Sequence, residues 1–230
     1  MRKKIGLLFY PLIVMGSLLV VTISCTKSGS KTDPTPTSTT ITDGDGNVYH
    51  AVQIGVQTWM LENLKTTKYR NGDPIPNVTN GTSWVNLTTG AYCNYNNDAN
   101  NGATYGRLYN WFAVYDSRKI APAGWHIPTA AEWATLASYL LGKGGAGARL
   151  KEAGTTHWAS PNTGASNSSG FTALPGGQRV DDGTFFQIGV QGCWWISDQV
   201  WGQYMFSSDI ILHDDAFPQI CGLSVRCIKD

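Results

Sequence analysis

The ten residues GWHIPTAAEW, Gly124 to Trp133, place His126 six positions before Glu132 in a chain that holds only three glutamates and four histidines. A histidine and a glutamate within reach of one another are the types that general acid and base catalysis uses. The same stretch also reads as the start of a helix. Pro128 restricts Ile127 to extended geometry, Thr129 is a favoured N-cap, and Glu132 completes a T-x-x-E capping box that satisfies two orphan amides. Glu132 is thereby committed to structure, and His126 is expected to be a hydrogen-bonded structural histidine. The remaining histidines, His50, His157 and His213, are dispersed, with neither i,i+4 spacing nor neighbouring cysteines to suggest zinc. Asp181-Asp182 and His213-Asp214-Asp215 sit among polar turn residues and read as solvated turns. There is no G-x-S-x-G elbow, no H-E-x-x-H and no glycine-rich phosphate loop after a strand. The expectation is therefore no enzyme, no catalytic residue and no metal site.

A binding module fits more of the residues. Nine tryptophans and many Asn, Asp and Gln side chains are what a saccharide site needs, a flat apolar face and a few convergent polar groups. Trp111, Trp125, Trp133 and Trp194 are assigned to the core. Trp195 and Trp201, with Asp198 between them, are the ligand-binding candidates.

These residues need elements to position them. NVYHAVQIGVQTWMLENL reads as a hairpin whose Gly55 supplies the positive φ that a type II′ turn requires at its first central position. The preceding DGDGN is a turn, because Val48 and Ile54 stand where a calcium loop needs glycine and glutamate. From Lys65 to Gly102 the chain is loop-like. Within it, Asn96 to Asn101 offers oxygen ligands that leave room for a structural calcium ion, but only Asp98 is charged and an Asn-stabilised turn is the preferred reading. Leu108, Trp111, Phe112 and Tyr115 follow an i, i+3, i+4, i+7 stripe and predict a helix packed on the core. A second helix is expected over Thr129 to Leu141, burying Trp133, Leu136, Ala137, Leu140 and Leu141 and ending at Gly142 as a C′ glycine. GKGGAGARLKEAG allows a short helix between glycine hinges. SSGFTALPGG, TFFQIGVQGCWWIS, YMFSSDIILHDD and GLSVRCIK then read as strands. In the last, Leu223, Val225 and Cys227 face one way and Ser224 and Arg226 the other. The fold class is α+β, with two helices, an antiparallel sheet and long loops.

Composition bounds the setting. With 230 residues, 42% hydrophobic, the chain supports one substantial core. Its charged share of 14% is well below the roughly 25% of an average soluble protein, so Asn, Ser, Thr and Gly must supply the polar surface. MRKK precedes the apolar run IGLLFYPLIVMGSLLVVTIS and Cys25, which reads as an export signal over 1–24. The run approaches the roughly 20 residues of a spanning helix, but Cys25 after the small Ser24 favours a lipoprotein signal with Cys25 acylated, although Thr22 stands where leucine is usual. Loss of 1–24 removes Arg2, Lys3 and Lys4 and no acid. That leaves 14 basic against 16 acidic residues, a net charge of −2, and no basic face for nucleic acid. Residues 25–44, rich in Ser, Thr, Pro and Gly, read as a flexible tether, and 45–230 as a single domain.

DGNVYHAVQIGVQTWMLENLK, NGATYGRLYNWFAV, PAGWHIPTAAEW, SPNTGASNSSGFTALPGG and GLSVRC together resemble the Fibrobacter succinogenes major paralogous domain, a family of secreted and lipid-anchored bacterial proteins. That family is similar to the formylglycine-generating-enzyme and sulfatase-modifying-factor fold, a relative of C-type lectins. The resemblance implies a C-type-lectin-like fold. Family members read C-P-x-G-W-H where this chain has Ala121-Pro122-Ala123-Gly124-Trp125-His126, which leaves Cys227 as the expected orphan. Pairing of Cys193 with Cys221 or Cys227 is the disulfide expected. The related oxidases hold copper with a cysteine pair, and Cys221 and Cys227 suit Cu(I) by softness. An unbroken strand would however hold them about 20 Å apart, and an exported thiol pair favours a disulfide, so no cofactor is expected. The functional expectation is a lipoprotein of the cell envelope, at the outer membrane or surface. It is anchored in the membrane by lipid and binds glycan or an envelope protein. The alternatives are a metal-dependent oxidase of the formylglycine-generating type and a structural envelope protein.

Overall fold

Two strands meet at Gly55, whose φ of +61° is the left-handed conformation a side chain resists. Ile54 lies opposite Gln57, the two-residue hairpin expected. A computed structural model describes residues 37–230. The expected signal 1–24, Cys25 and the tether as far as 36 lie outside the described residues.

In chain order the elements are β1 (Thr37–Thr42), β2 (Val48–Ile54), β3 (Gln57–Met60), α1 (Gly81–Val85), β4 (Tyr92–Cys93), α2 (Ala99–Tyr105), β5 (Leu108–Tyr109) and α3 (Trp111–Val114). There follow β6 (Trp125–His126), α4 (Ala130–Tyr139), α5 (Lys143–Leu150), β7 (Gln178–Arg179) and β8 (Phe185–Phe186). The chain ends with β9 (Gln191–Trp195), β10 (Trp201–Phe206), β11 (His213–Ala216) and β12 (Ile228–Lys229). The main sheet has the order β1-β2-β3-β12-β6 and a second the order β11-β10-β9. Every pairing within the sheets is antiparallel, so the α+β class holds. No helix among the described residues is long and apolar enough to cross a membrane.

β1 falls in the stretch read as tether. Its β-branched run pairs with β2 and buries Ile41 to 7% exposure, so the sheet begins upstream of Asp45. The turn reading of DGDGN holds, with the Asp43 carboxylate accepting from the amides of Asp45 and Asn47 and from the Tyr49 hydroxyl. Asn96 and Asn97 are left-handed, and Asp98 caps α2 by accepting from the Asn100 amide. This is the Asn-stabilised turn.

Two local readings need correction. The stripe from Leu108 to Tyr115 is not one helix. Leu108 pairs with Cys93 in β5, and Asn110 caps the single turn α3 by accepting from the Ala113 amide. Tyr115 is left 72% exposed. SSGFTALPGG forms no strand beyond isolated bridges at Ala173 and Gly177.

α4 carries the expected capping box in full. Its end differs from expectation. Leu141 turns to a positive φ of +74° one residue before Gly142, which follows at +80°, and the Gly142 amide donates back to the Ala137 carbonyl. Leu141 therefore points away from the core and is 73% exposed, whereas Trp133, Leu136, Ala137 and Leu140 are buried as expected.

Two apolar clusters make up most of the core. β9 runs between them, with Trp195 in one and Trp194 in the other. The GLSVRC segment does the same. Leu223, Val225 and Cys227 enter the first cluster, while Arg226 lies with its guanidinium 4.4 Å from the centre of the Phe171 ring, which belongs to the second. The alternation read from the sequence is present, but neither face meets solvent.

Candidate functional site

Of the three expected ligand residues, the structure withdraws Trp195. A strand with apolar layers on both faces exposes neither member of a Trp-Trp pair, and Trp195 is fully buried with its Nε1 donating to the Tyr109 carbonyl at 2.7 Å. Asp198 accepts from the Ala130 amide at 3.0 Å, so it serves the first turn of α4, where a negative charge is favoured. Trp201 remains partly exposed, at 37%, on the edge of β10. The three do not converge on a cavity. Ser197, beside Asp198, does line one.

That cavity, of about 260 Å³, is walled by Val114 to Ser117 and Lys119 to Ala121, by His126 and Ile127, and by Arg70 and Ser197. Arg70 ties the wall together. Its Nε donates to the Ala121 carbonyl, and its Nη2 to those of Pro122 and Trp125. Its own amide donates to the Lys119 carbonyl. Lys119 holds a left-handed φ of +57°, a conformation that costs a non-glycine residue about 1–2 kcal/mol and that the surrounding bonds enforce. Tyr115 stands at the rim, stacked on Trp111 with ring centres 5.8 Å apart and planes 16° from parallel. Its outer face is open. Beside it, Arg118 donates to Asp116 and to Asp73, and this first bond holds the Asp116 carboxyl down at about 2. Asp116 is thus a fixed negative charge on the wall.

His126 is bound on both sides. Its Nδ1 lies 2.7 Å from an oxygen of Asp230 and its Nε2 2.8 Å from one of Glu132. Burial pulls its pKa down, but the bonds to Asp230 and Glu132 outweigh this and the net direction is up. Glu132 moves down. Burial opposes that shift, and the Thr129 amide and the His126 ring override it. With both ring nitrogens committed, His126 is placed to hold β6, α4 and the C-terminus together rather than to shuttle protons. The four cysteines among the described residues, Cys93, Cys193, Cys221 and Cys227, are buried and free, so the pairing expected of Cys193 with Cys221 or Cys227 is not formed. Burial raises all four thiols, Cys93 and Cys221 to about 12, and a protonated thiol is a poor nucleophile and metal ligand. Among the described residues no group of three or more His, Cys, Asp or Glu is placed to hold a metal.

Sequence reasoning missed Tyr115 by absorbing it into a stripe. The signal against that was Asp116-Ser117-Arg118, where the Asp116 carboxylate accepts from the Arg118 amide in the manner of an Asx-turn and stops any helix one residue earlier. The family model of the Fibrobacter succinogenes major domain matches residues 52–229. No curated protein and no solved structure matches the chain.

Proposed function

We propose, from the premise that the chain belongs to the Fibrobacter succinogenes major domain family, that it is a non-catalytic binding domain of the cell envelope, held to the membrane by a lipid on Cys25. We read its α+β fold as C-type-lectin-like. The observation that carries the binding role is Tyr115, a ring 72% exposed, braced from behind by Trp111 and set beside a cavity with Arg70, Asp116, Ser117 and Ser197 on its wall. A braced flat ring with polar groups around it is what a sugar ring stacks on, so the ligand class is a glycan. The envelope placement rests on MRKK, the apolar run after it and Cys25.

A glycan array followed by calorimetry tests this. Tyr115→Ala should weaken binding at least tenfold while lowering Tm by no more than about 4 °C, the equivalent of about 1 kcal/mol in a chain of this size, because the lost ring is mostly in solvent. Trp201→Ala should bind as the wild type does. A silent array, or a Tyr115→Ala variant of unchanged affinity, overturns sugar binding. Mass spectrometry of the membrane fraction should find Cys25 acylated at the mature N-terminus, and an unmodified Cys25 in a full-length chain would remove the anchor. Stoichiometric copper in protein purified from oxidising medium would favour the oxidase reading instead.

A further inference from the structure

Three cations lie inside the domain, each at 0–1% exposure: Lys151, Arg179 and Arg226. Lys151 directs its Nζ at the carbonyls of Thr163, Phe206 and Asp209, one for each of its three protons. Arg179 has a carbonyl partner at every nitrogen, with Gly183 at Nε, Val78 at Nη1 and Thr79 at Nη2. Arg226 differs. Its Nε donates to Asn63 Oδ1 at 2.9 Å and its Nη1 to the carbonyls of Met60 and Phe171, while Nη2 has no hydrogen-bond partner among the described residues. Nη2 is not sealed from solvent. It therefore keeps contact with open space. Arg226 lines a second cavity, of about 210 Å³, together with Leu61, Glu62, Asn63, Thr104, Tyr105 and Leu174.

We propose that this cavity binds a small organic monoanion, a carboxylate with a short apolar chain, whose oxygen accepts from Arg226 Nη2. A buried guanidinium with uncommitted donors carries a desolvation cost that a charged acceptor offsets. Burial accordingly pushes the Arg226 pKa down to about 9, the direction expected of a positive charge met mainly by neutral carbonyls. Both Nη1 protons are taken, so the carboxylate is held through Nη2 alone and not by the usual two-pronged fork. Leu61 and Leu174 offer apolar wall to the chain. Glu62, whose two oxygens already accept from the His50 amide and face its ring nitrogen, puts a negative charge on the same wall and disfavours dianions. At the roughly 30 Å³ that a water occupies in the liquid, the volume admits about seven non-hydrogen atoms. This site shares no wall residue with the cavity beside Tyr115.

The test uses the full chain in detergent, at constant ionic strength, with butyrate as probe and butyramide, succinate and inorganic phosphate as controls. Butyrate should raise Tm along a saturating curve with a millimolar half-point, and the three controls should not. Removal of Arg226 itself risks the fold, so the variants are Thr104→Trp and Glu62→Gln. Thr104 is exposed at the rim. The tryptophan should plug the cavity and abolish the butyrate response while leaving the ligand-free Tm in place. Glu62→Gln, which removes the opposing charge, should move the half-point to severalfold lower butyrate. Absence of a saturable shift in the wild type, an equal response to butyramide, or a response that survives Thr104→Trp overturns the proposal. Tyr115→Ala should leave the butyrate response unchanged.

Discussion

Lys151, Arg179 and Arg226 are buried and held mainly by main-chain carbonyls, with aromatic faces beside them at 4.4–5.4 Å. The four histidines are partly in solvent, and each faces a carboxylate: His50 with Glu62, His126 with Glu132 and Asp230, His157 with Glu152, and His213 with Asp209. All three glutamates of the chain are used in this way. Carbonyl dipoles do not titrate and belong to the backbone, so a buried cation pins loops together for as long as it keeps its own proton, and burial lowers the pKa of Lys151 and Arg226. Lys151 gathers residues 163, 206 and 209, and Arg179 joins 78–79 to 183. A histidine and a carboxylate both titrate, and their contact with water screens what they contribute. The interior charges therefore define the path of the loops, and the surface pairs adjust stability within it.

The largest test of this contrast is Arg179→Met. It leaves the buried carbonyl of Gly183 and the part-buried carbonyls of Val78 and Thr79 without their donor, at about 1–3 kcal/mol for a buried unsatisfied group, and should cost on the order of 2–4 kcal/mol in urea unfolding. A loss under about 1 kcal/mol would erase the distinction. Glu132→Ala removes the side-chain half of the capping box of α4 and one partner of His126 together, and should cost about 1–2 kcal/mol. The pH dependence is smaller. Because the folded pKa of His126 is raised, its contribution is complete below its ordinary value of 6.5 and is lost as pH rises through the folded value. Because that of Glu132 is lowered, its contribution is present above 4.5 and is lost as pH falls through the folded value. The pair thus stabilises most between those limits, and His126→Gln should flatten the decline on the alkaline side in melts taken from pH 5 to pH 8. His213→Gln should be the least of these, within about 0.5 kcal/mol of the wild type. A larger loss would mean that a surface pair also pins the backbone.

Legibility in the sequence followed the range of the forces. The capping box at Thr129 and Glu132 and the turn at Gly55 are set by residues a few positions apart, and both were readable. The end of α4 was not, because the rules for a stop favour Gly142 and give no signal that Leu141 would turn first. In the left-handed position Leu141 is turned out and left 73% exposed. Trp195 was misjudged because alternation tells which side a residue takes and not whether that side is covered; β9 is covered on both. The partners of Arg226 could not be read either, since Asn63 and Phe171 stand 163 and 55 residues away. Tyr115 was within reach, through the turn that follows it.

The main sheet has its last strand in its interior. β12 lies between β3 and β6, with Ile228 opposite both Trp59 and His126. A pairing across that separation closes late, since the loop entropy is paid before the contact forms. Until Ile228 and Lys229 are in place, β3 and β6 have no strand to share, although β1-β2-β3 and β9-β10-β11 pair without it. The sheet is therefore completed at its centre and not at its edge, and removal of the last three residues should unfasten β6 from β3.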